Sequence, residues 1–188
     1  ASDELIQQQC QAANQYASAI ITYKTRSGDV VLDGNELITW LSIDETGKYY
    51  RDDSVFKKKA TEFVSSLAKK INSVGETRSF VGANNRTITV SGGNYGVRLQ
   101  NSKEVTGLLE DIYANKVGVR TPITVGKEAS IDNGGLGNTF VEIDLKGQHM
   151  WYHKDGQIIL ESDIVSGTYN DPDRRTPAGT YYLYNKER

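Results

Sequence analysis

Four groups of residues in this sequence could carry chemistry. The lone cysteine, Cys10, would act as a nucleophile only as a thiolate with a histidine in reach. Its spacing with Ile6 and Ala13 instead reads as a small buried hydrophobe on a helix. The two histidines, His149 and His153, fall on one face of a strand with Trp151 between them. Such a pair could begin a metal site, but no third ligand stands at a suggestive spacing. They read as exposed or edge-packed aromatic strand positions. Asp171, Asp173, Arg174 and Arg175 form a charged run that could meet a substrate and reads as a solvated loop. Gly92-Gly93 lacks the following GxxxxGK[ST] of a phosphate loop and reads as a glycine-rich hairpin turn. No residue of the chain is therefore assigned a catalytic, cofactor-binding or metal-binding role.

These residues need elements to position them. Ser2-Asp3 would cap a first helix carrying Leu5, Ile6, Cys10, Ala13 and Tyr16. A hairpin follows, Ala19 to Tyr23 with Val30 to Leu32, and then a short helix, Glu36 to Leu41. Asp52-Asp53-Ser54 opens the clearest helix. Val55, Phe56, Ala60, Phe63, Val64, Leu67, Ala68 and Ile71 keep helical spacing to about Val74, and Gly75 ends it. Lys57, Lys58, Lys59, Lys69 and Lys70 lie on its other, solvated side. Phe80-Val81, Arg86 to Val90 and Val97 to Leu99 read as short strands. Asn101-Ser102 caps a helix with the stripe Val105, Leu108, Leu109 and Ile112; Glu104 and Glu110 would make its outer side acidic. Val117 to Val125 reads as a strand with Pro122 at an edge or bulge.

The densest pattern is Thr139 to Tyr184. Val141, Ile143 and Leu145 alternate with Glu142 and Asp144, so one face is apolar and the other charged. His149 to His153 returns, and Asp155-Gly156 is a two-residue hairpin signal. A strand from Ile158 through Val165 reaches Ser166-Gly167. After a polar loop come Thr176-Pro177-Ala178-Gly179 and a last strand, Thr180 to Tyr184. The order "VEIDL", "HMWYHKDG", "VSG" and "TPAGTYYLY" resembles the opening of the L,D-transpeptidase catalytic domain (the YkuD/ErfK family), in its Gram-positive two-domain type. The "GGNYGVRL" strand and the helix after it more weakly resemble the accessory domain found before some of these catalytic domains.

The resemblance implies a fold class: an α+β N-terminal domain followed by an incomplete all-β, YkuD-like catalytic domain. The expected domains are 1–125, an accessory domain that binds peptidoglycan; 126–138, a linker rich in Gly, Asn and Asp; and 139–188, the first strands of the catalytic domain. It implies cysteine-mediated acyl transfer from a tetrapeptide stem to an acceptor amine in cell-wall biogenesis, without metal or organic cofactor. The nucleophilic Cys and catalytic His of that family lie downstream of Arg188, so the chain itself is expected to be inactive, part of a larger enzyme. The alternative is a non-catalytic wall-binding module. Tyr49, Tyr50 and Tyr95 could stack on sugar rings of the expected partner, peptidoglycan glycan or stem peptide.

Composition fits this. A net charge of −2 over 188 residues gives no basic footprint for nucleic acid. No apolar run approaches the ~20 residues that span a bilayer, and one cysteine excludes an internal disulfide. The chain opens on Ala1 rather than Met, as a processed product would; the resemblance implies an extracellular, wall-located parent, with any N-terminal anchor outside this sequence. Strands 139–184 without later strands would leave an apolar face and a free edge, so this region is expected either to pair with a second copy or to lie poorly ordered beside the first domain.

Overall fold

The computed structural model of the chain describes residues 6, 7, 11, 13–16, 18–130 and 132–185. Cys10 and the expected cap at Ser2-Asp3 lie outside them. Helical residues are described up to Tyr16, where Ala13 and Tyr16 are buried and Ile6 is exposed. The chain forms two compact units, residues 1–72 with 98–125, and residues 73–97 with 126–188.

In the first unit, β1 (Ile20–Thr25) pairs antiparallel with β2 (Gly28–Leu32) and parallel with β8 (Val117–Val119). A small ribbon joins β3 (Ser42–Ile43) to β4 (Tyr49–Tyr50). Helix α1 (Gly34–Ile38) is capped by the Asp33 side chain. Helix α2 (Asp53–Ile71) starts where Asp52 accepts from the Ser54 and Val55 amides, which satisfies two of the orphan donors of the first turn. Its buried side is Phe56, Ala60, Val64, Leu67, Ala68 and Ile71. Val55, expected in that stripe, is exposed, and the helix ends at Ile71 rather than near Val74. Helix α3 (Asn101–Tyr113) packs on α2 through Val105, Leu108 and Ile112, and the Phe56 and Tyr113 rings lie 6.1 Å apart. Trp40, Tyr23, Leu32 and Leu37 complete this core.

Helix α3 carries one departure from expectation. Glu104 is fully buried, not on an acidic outer side. Its carboxylate accepts from the Tyr23 hydroxyl at 2.7 Å, Arg120 Nε at 2.6 Å and the Ile123 amide at 2.6 Å. Arg120 also donates to Asp111 at 2.6 Å. A buried carboxylate is tolerated because every side of it meets a donor.

The second unit holds a hairpin, β5 (Arg78–Val81) with β6 (Thr87–Val90), and an antiparallel meander, β10 (Phe140–Asp144), β11 (His149–Lys154) and β12 (Gln157–Asp163). Between these in sequence, β7 (Gly96–Leu99) pairs with β9 (Thr124–Lys127). The segment from β9 to β10 carries a 3-10 turn, Asn133–Gly135. That segment is not a free linker. Asn133 Oδ1 accepts from the Val81 amide at 2.7 Å, and the Gly134 carbonyl accepts from Arg78. The units therefore divide the chain differently from the expected 1–125, 126–138 and 139–188. Residues 73–97 join the second unit, because Arg78 and Tyr95 hold them to residues 128–135.

The architecture is an α+β N-terminal region followed by a β-rich region, as the sequence implies. The expected fourth strand, Thr180 to Tyr184, is reduced to one parallel bridge between Gly93 and Thr180. Strand β12 stops at Asp163 instead of running to Gly167.

Candidate functional site

The residues of interest lie in the second unit, on the meander and the loop after it. Asp155 and Gly156 both take positive φ, 51° and 81°, which a two-residue turn between twisted strands requires. The turn pairs Lys154 with Gln157 and His153 with Ile158, and a one-residue bulge at Ile159 then shifts the register to His149 opposite Asp163 and Trp151 opposite Glu161. Strand β10 then places Glu142 opposite Trp151, and Phe140 opposite His153.

The covered face is the one that sequence alternation marks as charged. Glu142 and His153 are buried, whereas Val141, Ile143 and Leu160 are about half exposed. His153 Nε2 lies 3.1 Å from Glu142 Oε2, and its ring stacks on Phe140 at 4.3 Å. The same carboxylate oxygen accepts from the Ala83 amide at 2.7 Å, and Phe80 meets Phe140 edge-on at 5.5 Å. The hairpin β5–β6 thus covers Phe140, Glu142 and His153, and hydrogen bonding keeps the buried polar pair satisfied. This corrects the reading of His153 as an exposed or edge position.

His149 stays at the surface. Its Nδ1 lies 2.7 Å from Asp163 Oδ1 and its Nε2 3.5 Å from Glu161 Oε2, while Trp151 Nε1 donates to Glu161 at 3.1 Å. The Asp163 hydrogen bond, helped by Glu161, raises the His149 pKa above its ordinary value. A raised folded pKa means a contribution present below the unfolded pKa and lost as pH rises through the folded one. The His149 ring protons are expected to titrate by NMR above the ordinary histidine midpoint, and Asp163→Asn to lower that midpoint. An unchanged midpoint in the variant would remove the ion pair as cause. Among the described residues, no group of three or more His, Cys, Asp or Glu side chains is placed to hold a metal ion.

The two most diagnostic sequence stretches come together. The Gly167 amide donates to Thr176 Oγ1 at 2.9 Å, joining Val165-Ser166-Gly167 to Thr176-Pro177-Ala178-Gly179. Ser166 is held in turn by Gln148, whose Oε1 accepts from the Ser166 amide at 2.7 Å. The intervening loop is closed by the Asp171 carbonyl, which accepts from the Arg174 and Arg175 amides. Asp173, Arg174 and Arg175 are exposed and point no polar cluster inward. Of the tyrosines offered for sugar stacking, Tyr50 is exposed. Tyr95 is engaged internally. Its hydroxyl donates to the Gly135 carbonyl and accepts from the Ala129 amide, each at 2.8 Å. Sequence reasoning missed Glu142, Glu104 and Tyr182. Only Tyr182 carried a local signal, its place just after TPAG.

An α+β unit and a β-rich unit whose VSG and TPAG stretches close into one loop define the fold class. Comparison with known proteins agrees. Residues 138–188 match the L,D-transpeptidase catalytic domain family, and residues 33–119 match a family described as "putative peptidoglycan binding domain". No curated protein matches. Among solved structures, a Cys-to-Ser mutant of the Enterococcus faecium L,D-transpeptidase is 32% identical with a TM-score of 0.70, covering 96% of this chain and 69% of that one. The Ldtfm–avibactam carbamoyl enzyme is 31% identical with a TM-score of 0.70, covering 97% of this chain and 68% of that one. The chain belongs to the L,D-transpeptidase family. Membership supports a role in peptidoglycan cross-linking, with peptidoglycan as partner and the cell wall as place of action. No described helix is long and apolar enough to cross a membrane.

Proposed function

We propose that this chain is part of an extracellular L,D-transpeptidase. In this reading the enzyme takes a tetrapeptide stem as donor, holds its acyl group as a thioester on cysteine, and passes it to the amine of a second stem. Cysteine suits this, because a histidine-paired thiolate is a competent nucleophile near neutral pH. In this reading Cys10 takes no part in the thioester. The observation that carries the reading is the Gly167–Thr176 hydrogen bond, which closes the two family motifs into one loop inside the matched segment.

The test is to incubate the product of the complete reading frame with a disaccharide-tetrapeptide. A cross-linked dimer and a covalent acyl-enzyme mass are expected, both surviving Cys10→Ser. Sacculus pelleting without either product would leave the alternative, a wall-binding module, which the match over 33–119 favours. All seven residues of β12 are exposed, which also fits strand pairing with a second copy. Light scattering at rising concentration is expected to show a dimer, and a constant monomer mass would refute the pairing.

A further inference from the structure

We propose that the Gly92–Gly96 loop is a backbone clamp that holds the segment after Thr176. Residues matched to the wall-binding family would then set the geometry of the catalytic family's loop. The loop falls within the match over 33–119, yet it belongs to the same compact unit as residues 138–188.

The contacts are of three kinds. First, the backbone pairs: the Thr180 amide donates to the Gly92 carbonyl at 3.1 Å, and the Tyr95 amide donates to the Thr180 carbonyl at 3.0 Å. Second, the Tyr182 hydroxyl sits among four backbone groups. It accepts from the Gly96 and Lys127 amides and has one proton to share between the Gly96 and Lys127 carbonyls. Third, the Tyr182 ring lies 5.0 Å from Tyr95, whose own hydroxyl is tied to residues 129 and 135.

The glycines show how close the approach is. A Cβ on Gly93 would stand 2.0 Å from the Thr180 carbonyl oxygen, and one on Gly179 would stand 2.7 Å from the Gly93 nitrogen. Neither position admits a side chain while the clamp is closed. Gly92 has nearly the same backbone, φ 89° against 87°, but a Cβ there would meet only Ala178 O, at 3.8 Å. Alanine at either position therefore carries similar backbone strain, and only Gly93→Ala adds the collision with Thr180.

That difference makes the experiment. Amide hydrogen exchange is measured on the whole chain for the parent, G92A, G93A and Y182F. Gly93→Ala is expected to accelerate exchange at Tyr95 and Thr180 at least about tenfold relative to Gly92→Ala, with Phe80 in β5 unchanged. Tenfold corresponds to ~1.4 kcal/mol of local closing free energy. Tyr182→Phe keeps the glycines and removes the hydroxyl, so Gly96 and Lys127 should lose protection. Equal acceleration in G92A and G93A, or full protection of Gly96 and Lys127 in Y182F, would overturn the clamp. The clamp does not rest on the proposed function. Exchange needs no turnover, so either idea can fail while the other stands.

Discussion

Replacing Glu104 by alanine is expected to destabilise the first unit by ~3–5 kcal/mol, the usual loss when one partner of a buried ion pair is removed. The side chain has no exposure to water, and it accepts hydrogen bonds from Tyr23, Arg120 and the Ile123 amide. Without it, Arg120 keeps Asp111 as an ionic partner, and the Tyr23 hydroxyl and Ile123 amide lose the acceptor they now have. Burial, reinforced by Glu104, raises the Tyr23 pKa far above the ordinary tyrosine value, so its hydroxyl remains a donor. Burial alone would lower the Arg120 pKa, but the bonds to Glu104 and Asp111 outweigh it and raise it. A double variant, Glu104→Leu with Arg120→Met, removes both charges and should recover at least half of the loss, because uncompensated charge dominates the single variant. Urea denaturation followed by Tyr23 and Trp40 signals measures both. If the double variant is as unstable as Glu104→Ala, packing rather than charge burial sets the cost. Acid should act on the same network through Asp111. Burial raises its pKa, but the bonds to Arg120 and Lys116 prevail and lower it. A depressed pKa contributes stability above the unfolded value, and that contribution is lost as pH falls through the folded one.

What the sequence made legible is what depends on neighbours. The apolar stripe of α2, its Asp52 cap and the Asp155-Gly156 turn are fixed by residues within one or two turns of chain, and each stands where the pattern places it, apart from the exposed Val55 and the earlier helix end at Ile71. The VSG and TPAG stretches pointed correctly to the family. What escaped was decided by distant partners. Alternation in β10 is real, but a strand pattern does not say which face the rest of the fold will cover. Ala83 supplies the amide that makes burying Glu142 acceptable, 59 residues earlier. Glu104 reads as an acidic surface residue until Arg120, 16 residues on, and Tyr23, 81 residues back, are brought to it. The glycines at 92 and 93 read as a simple hairpin turn. The reason for Gly93 is Thr180, a backbone contact that no local pattern encodes. The unit boundary moved for the same cause, since 73–97 carries little periodicity to show that Arg78 and Tyr95 bind it to residues 128–135.

Arg78 should be the equivalent weak point of the second unit. Its side chain is 1% exposed. It donates to Glu128 Oε1 at 2.7 Å and to the Ser73 carbonyl at 2.8 Å, with the Gly134 carbonyl as a third acceptor. The guanidinium also lies 5.1 Å from the centre of the Tyr95 ring. One planar cation thus ties together the turn before β5, the 3-10 turn at 133–135 and the loop that carries Tyr95. Arg78→Ala should cost ~3–5 kcal/mol, because it takes a donor from the Gly134 carbonyl, leaves the buried Ser73 carbonyl only the longer bond from the Glu76 amide at 3.4 Å, and removes the buried half of the ion pair with Glu128. Arg78→Lys should rescue little and remain at least ~2 kcal/mol below the parent. An ammonium is a compact point charge on a flexible stem and cannot present the rigid fork that reaches all three acceptors. Guanidinium chloride confounds charge effects through its own ionic strength, so urea is the denaturant of choice. Resonances of Phe80 and His153 would report this unit. Added salt should change the result little, since a pair shielded from solvent is weakly screened. A lysine variant as stable as the parent would mean that charge alone suffices and that the fork geometry is incidental.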